Sequence, residues 1–138
     1  MNGFILRTPE EQIIRFEFYV DDATATCKAF EALLPFSRKF MHARVSGQEI
    51  WIDDAAPLDV IQENASVFTE PGEVVYGPQN ARRTKTVNCM GIYYGEGRGL
   101  DACNIFAKVF DEDKEKLKVL GESIWKGGMK ALRFEPML

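Results

Sequence analysis

Histidine is nearly absent from this chain: His42 is the single imidazole among 138 residues, and the three cysteines, Cys27, Cys89 and Cys103, stand far apart with no CxxC pair. A zinc site of the usual Cys/His type therefore has no ligand set, and no carboxylate cluster stands out to replace one, so no metal is expected. Scattered thiols in an odd number read as reduced, mostly buried cysteines, and the expected location is cytoplasmic. Long hydrophobic runs are missing too. Near the N-terminus only Phe4, Ile5 and Leu6 are consecutive apolar residues, too few for a signal-peptide core or a membrane span. Basic charge is in short supply: Lys and Arg number 17 against 21 acids, a net charge of −4. The cations are interleaved with acids, which argues against a nucleic-acid binder. The one local exception is Arg82-Arg83-Thr84-Lys85, a polar loop able to hold an anion but more simply read as solvated. Signatures of nucleotide and nucleophile chemistry are also lacking. Gly95-Glu96-Gly97-Arg98-Gly99 has no Gly-Lys-Ser/Thr ending and opens no helix, and no GxSxG elbow occurs. No cofactor is expected.

What is present is a hydrophobic fraction of 46%, enough for a core without disulfides, in a length that suits one domain over residues 1–138. Residues 12–20, rich in β-branched and aromatic side chains, predict a strand. Asp21 or Asp22 offers an N-cap for a helix over 22–34, with Cys27, Phe30 and Leu34 at helical spacing. Strands over 37–45 and 48–53 follow, joined by a turn at Ser46-Gly47. Residues 54–71 read as an irregular excursion with room for a short strand. Glu73–Tyr76 and Thr86–Tyr94 read as strands, 95–101 as a glycine-rich loop, and Asn104–Val109 as a strand. A second helix begins at the acids Asp111 to Asp113, carries an apolar stripe of Leu117, Leu120, Ile124 and Trp125, and stops at Gly127-Gly128. Residues 129–135 return as a strand. Many short strands and two helices that do not alternate favour a barrel or sandwich over a doubly wound sheet.

The segment Phe36 to Val45 holds the most chemistry. Alternation places Met41, Ala43 and Val45 on one face, suited to a barrel interior, and Arg38, Phe40, His42 and Arg44 on the other. Two guanidinium groups, the lone imidazole and a ring on one outer face could bind an anion or form an acid–base pair. The plainer alternative is a solvated face whose cations meet acids on a neighbouring strand.

These residues carry a resemblance. Residues 33–52, LLPFSRKFMHARVSGQEIWI, with the run His42-Ala43-Arg44-x-Ser46-Gly47-x-Glu49-x-Trp51, are similar to small bacterial and archaeal cyclophilin-like proteins of uncharacterised function. Glu63-Asn64, Pro71-Gly72-Glu73-Val74, Asn104-x-Phe106-Ala107-x-Val109 and the ending LGESIWKGG add to it, and the similarity runs from the first strand to the last. The resemblance implies a mainly β protein: a closed barrel of about eight strands with a short helix near each open end. It does not imply prolyl isomerase activity. Cyclophilins carry Phe-His-Arg in one strand, a Phe-x-x-Gly-Gly-Asp segment and a downstream Trp and His. Here Phe40 precedes Arg44 by four residues, the Gly-Gly-Asp segment is missing, and only Arg44 and Phe106 map loosely onto that groove.

Three functions are compatible with this reading. The first is an outer-face site for a small anionic metabolite, with His42 as proton-transfer group, Arg44 as carboxylate clamp, and Arg38, Phe40, Trp51, Tyr76, Asn104 and Phe106 as ligand contacts. The second is a non-catalytic interaction module or subunit, and the third a residual prolyl isomerase. The charged strand face favours the first, since interface cores usually shed such charge. Whether a reaction is catalysed stays open at this level. Neither a nucleic acid nor a membrane is an expected partner, and a homo-oligomer is allowed for.

Overall fold

Alternating apolar residues set the strands. The computed structural model describes residues 2–81 and 87–137, so the predicted basic loop Arg82, Arg83, Lys85 lies outside the described residues, as does Thr86. Its strands are β1 (Gly3–Arg7), β2 (Ile13–Phe18), β3 (Phe36–His42), β4 (Gly47–Ile52), β5 (Ala65–Phe68), β6 (Glu73–Tyr76), β7 (Met90–Val109) and β8 (Lys130–Pro136). Two helices, α1 (Thr24–Glu31) and α2 (Lys114–Gly127), complete the fold, the second entered through a 3-10 turn at Asp111–Asp113.

Six strands form a ring in the order β2-β1-β8-β3-β4-β7, closed by pairing of β7 with β2. The other two, β5 and β6, pair with β7 off that path. β6 is antiparallel to both ends of β7: Val74 faces Ile92 at one and Ala107 at the other. The result is a cyclophilin-like barrel with no open edge in its ring.

Inward positions repeat with period two and are filled by Phe4, Leu6, Ile14, Phe16, Phe18, Ile50, Ile92, Leu132 and Phe134, all within 5% of complete burial. Helix α1 closes one end. Phe30 enters the core with its ring centroid 4.9 Å from both Phe4 and Phe106. Helix α2 covers the other end, burying Leu117, Leu120 and Ile124. Its closest approach is at Gly121, where an added Cβ would lie 2.1 Å from the Tyr94 ring. A smaller second core, Val75, Tyr93, Cys103 and Ile105 with Tyr19 against it, forms on the outer side of β6 and β7.

Several expectations need correction. Helix α1 starts after Ala23 with no side-chain cap, so neither Asp21 nor Asp22 caps it. The predicted loop 95–101 is strand: Gly97 pairs with Gly47 of β4 and Arg98 with Phe68 of β5, which holds the glycines extended. Trp125 does not join the buried stripe of α2; it is 64% exposed. The two faces of β3 are also exchanged. Phe40 is wholly buried, and His42 lies across from Ile50, itself across from Ile92, so Phe36, Arg38, Phe40 and His42 point inward. Met41 pairs with Trp51 and shares the outer side with it. The alternation ends at His42, so Val45, expected inside, is 74% exposed in the turn.

Candidate functional site

Strand β3 runs from one helix to the other, and its inward face meets a different environment at each end. Near α1, Phe36 stacks on Phe134 with centroids 4.9 Å apart and meets Phe30 edge-on at 5.7 Å. Two residues on, Arg38 faces the same way, but no room remains for it in the core. Its guanidinium therefore turns to the barrel mouth, where Nη1 donates to the Ser37 carbonyl at 3.0 Å and Nε to the Asp54 carbonyl at 3.4 Å. Among the described residues it forms no ion pair with a carboxylate. Beside it lies a cavity of ≈ 190 Å³ lined by Leu33, Phe36, Arg38, Ala55, Ala56 and Tyr76.

The walls of this cleft are fixed. Tyr76 packs edge-on against Phe30 and Phe106, with centroids 6.1 and 6.2 Å away. Its hydroxyl donates to the Ala56 carbonyl at 2.5 Å. Burial pushes the phenol pKa above its usual value, and the Arg38 charge opposes this only in part. Tyr76 therefore stays a neutral donor already committed to the protein. The opposite wall is tied down where the Ala55 amide donates to the Asn88 carbonyl at 3.0 Å. Among the described residues, what the cleft offers a ligand is one guanidinium and apolar walls.

At the other end of β3, His42 is held on both nitrogens. A carbonyl can only accept, so Nδ1 carries a hydrogen and donates to the Ala43 carbonyl at 2.7 Å, while Nε2 pairs with the Tyr94 hydroxyl at 2.7 Å. The exposed Trp125 ring of α2 lies over the imidazole at 4.6 Å. Arg44 is exposed in the turn between β3 and β4. The structure thus brings Arg38 and Tyr76 to one cleft and leaves His42 at the far end of β3, about 13 Å along the strand at 3.3 Å per residue.

The remaining predicted contacts are elsewhere. Phe40 and Phe106 are wholly buried core residues, and Trp51 is half-buried on the outer side. Asn104 is wholly buried beside α1. Its amide donates to Thr26 Oγ1 and to the Ile61 carbonyl, both at 2.9 Å, and its oxygen accepts from the Glu63 amide at 3.0 Å. Glu63 in turn accepts from the Thr26 amide at 2.5 Å and hydroxyl at 2.7 Å. This network does for the start of α1 what a side-chain cap would do.

Sequence reasoning gave no role to Glu49. Its carboxyl lies on the outer side of β4, over Gly91, and accepts from Ser46 Oγ at 2.5 Å. Burial pushes its pKa up to about 7 against hydrogen bonds from Ser46 and Tyr93 that favour the charged form. A weak signal was available: Glu49 is the one charged residue of Gly47–Ile52, and its carboxyl occupies the space that a side chain at Gly91 would fill. Among the described residues no group of three or more His, Cys, Asp or Glu could hold a metal ion. Among the described residues no helix is long and apolar enough to cross a membrane.

Comparison with known proteins agrees with this architecture. The family described as "Protein of unknown function (DUF3830)" matches residues 10–135. No curated protein matches. Among solved structures, McbB in complex with tryptophan is similar with a TM-score of 0.71 at 15% identity, over 96% of this chain and 44% of McbB, so the chain spans less than half the length of that protein. A hypothetical protein of Archaeoglobus fulgidus is similar with a TM-score of 0.63 at 17% identity, over 99% of this chain and 95% of that one. A cyclophilin-type peptidyl-prolyl isomerase of Cryptosporidium parvum, solved in the presence of the dipeptide Ala-Pro, gives 0.52 at 17%, over 84% of each chain. At these identities the likeness is one of fold.

Proposed function

The chain belongs to the DUF3830 family of proteins of unknown function, and on that premise we propose that it binds a small anionic molecule at the Arg38 cleft. The observation that carries this reading is a guanidinium with no carboxylate partner among the described residues, set at the mouth of an apolar cavity. A guanidinium with no carboxylate to neutralise it can meet an incoming anion with charge-assisted hydrogen bonds, which are stronger than neutral ones. The cavity of ≈ 190 Å³ is below the range of about 300–1,000 Å³ usual for drug-sized ligands, so the ligand is small. McbB, part of which shares this fold, was solved in complex with tryptophan, which is in keeping with a small-molecule ligand.

The lining favours binding over turnover. Among the described residues lining the cleft, the Arg38 guanidinium can only donate, the Tyr76 phenol is a committed donor, and Leu33, Phe36, Ala55 and Ala56 have no reactive group. His42 has no part in this reading, since both nitrogens are engaged at the other end of β3.

Thermal shift against small carboxylates, amino acids and phosphates tests it, with wild type beside Arg38→Ala and Arg44→Ala. A ligand at about 100 times its Kd adds ~2.7 kcal/mol, a rise of several degrees in Tm. The shift is expected to vanish in Arg38→Ala and persist in Arg44→Ala. Loss in Arg44→Ala alone would move the site to the β3–β4 turn, and no shift with any anion would end the proposal.

A further inference from the structure

Resting on the reading of the Arg38 cleft as an anion site, we infer that its ligand class is the apolar monocarboxylate without an ammonium group, and that the cleft discriminates against zwitterionic amino acids and polyanions. Of the described residues lining the cavity, Arg38 is the only charged one; the other five are Leu33, Phe36, Ala55, Ala56 and Tyr76. One planar guanidinium matches one carboxylate, which it can meet with two parallel hydrogen bonds. A second negative charge on the same ligand would meet apolar wall and lose its water without a partner.

The same count excludes the ammonium of an amino acid. Its three hydrogens would need acceptors, and among the described residues no lining side chain is anionic. The nearby carbonyls each already accept one hydrogen bond, Ala56 from the Tyr76 hydroxyl and Ser37 and Asp54 from Arg38, so an ammonium would have only their second lone pairs to share. An ammonium there would also stand beside the guanidinium, and like charges at such range repel. The apolar part of the ligand is served well. Phe36 and Tyr76 are rigid faces, each locked by edge-on contact with Phe30, so an aryl or branched chain meets preformed walls.

The test is calorimetric titration of the full chain with 3-phenylpropionate, phenylalanine, succinate and inorganic phosphate, for wild type, Arg38→Ala and Arg38→Lys. 3-Phenylpropionate is expected to bind more than tenfold tighter than each of the others. Arg38→Ala is expected to weaken it roughly tenfold to a hundredfold, the effect of a charge-assisted hydrogen bond. Arg38→Lys keeps the charge but not the fork, and an intermediate loss is expected. Circular dichroism establishes that both variants are folded. Equal or tighter Arg38-dependent binding of phenylalanine, succinate or phosphate overturns the inference and leaves the anion site standing. Binding of 3-phenylpropionate that Arg38→Ala does not weaken, or no binding of any acid to wild type, overturns both.

Discussion

Glu49 shows how far a single side chain can depart from its ordinary chemistry inside this fold. It is 8% exposed, and burial holds its pKa at about 7 against 4.5 for a free glutamate. Because the native state keeps this proton to higher pH than the unfolded chain does, its contribution to stability is complete below about pH 4.5 and is lost as pH rises through about 7. The difference corresponds to ~3 kcal/mol. Glu49→Gln removes the titration while keeping an acceptor for Ser46. Urea unfolding at pH 5 and pH 8 is expected to show a fall in wild-type stability that the variant lacks; an equal fall in both would place the titrating group elsewhere. The other residue-scale lesson concerns β3. Arginine and histidine suggested an outer face, yet Arg38 and His42 point inward. His42 is the last residue of the seven-residue strand and meets its partners under α2, whereas Arg38, the third, has a stem long enough to carry its charge to the barrel mouth. Phe40, between them on the same face, has no such way out and is wholly buried, a difference that strand alternation alone does not mark.

At the scale of elements, the two helices are held by different means. The start of α1 depends on Asn104, 78 residues away from Thr26 in sequence. Asn104→Ala leaves the Ile61 carbonyl, the Thr26 hydroxyl and the Glu63 amide short of a partner, and a loss of about 1–3 kcal/mol is expected in denaturant unfolding. An unchanged midpoint would mean water replaces the amide fully. Helix α2 depends on closeness: Gly121→Ala puts a methyl group into the Tyr94 ring and is expected to cost about 1–3 kcal/mol, although alanine favours helix elsewhere. A gain in Tm on that substitution would contradict the packing described. These elements differ in how much of them local sequence reveals. Helix α2 has a clear apolar period and glycines at its end, so its span was legible apart from the exposed Trp125. The β7 glycines were read as a loop because glycine permits many conformations. What makes Gly97 extended is tertiary, since its missing Cβ leaves space for the Ser46 carbonyl and the Tyr93 ring. Pairing across 50 residues of chain leaves no local trace.

For the whole molecule, the mainly β barrel with two helices was legible from its many short strands and its resemblance to cyclophilin-like proteins, and the chain shares that fold with an isomerase at 17% identity. Fold does not carry activity with it. The missing Gly-Gly-Asp segment and the lone histidine predict that Ala-Pro peptides isomerise at the uncatalysed rate, over tens to hundreds of seconds, in the presence of this protein. A protease-coupled assay showing acceleration proportional to protein concentration would refute that. The central claim is the proposed place of the anion site: sequence reading put it on an outer face around His42 and Arg44, and the proposal here puts it at Arg38, towards the α1 end of β3. The most direct measurement is NMR titration of isotope-labelled protein with 3-phenylpropionate, following the Arg38 Nε–H signal and the backbone amides. Saturable shifts at Arg38 Nε–H, Ala55 and Ala56, with the 43–46 turn unmoved, are the predicted result. Shifts concentrated in that turn or around His42, with Arg38 unmoved, would contradict the account.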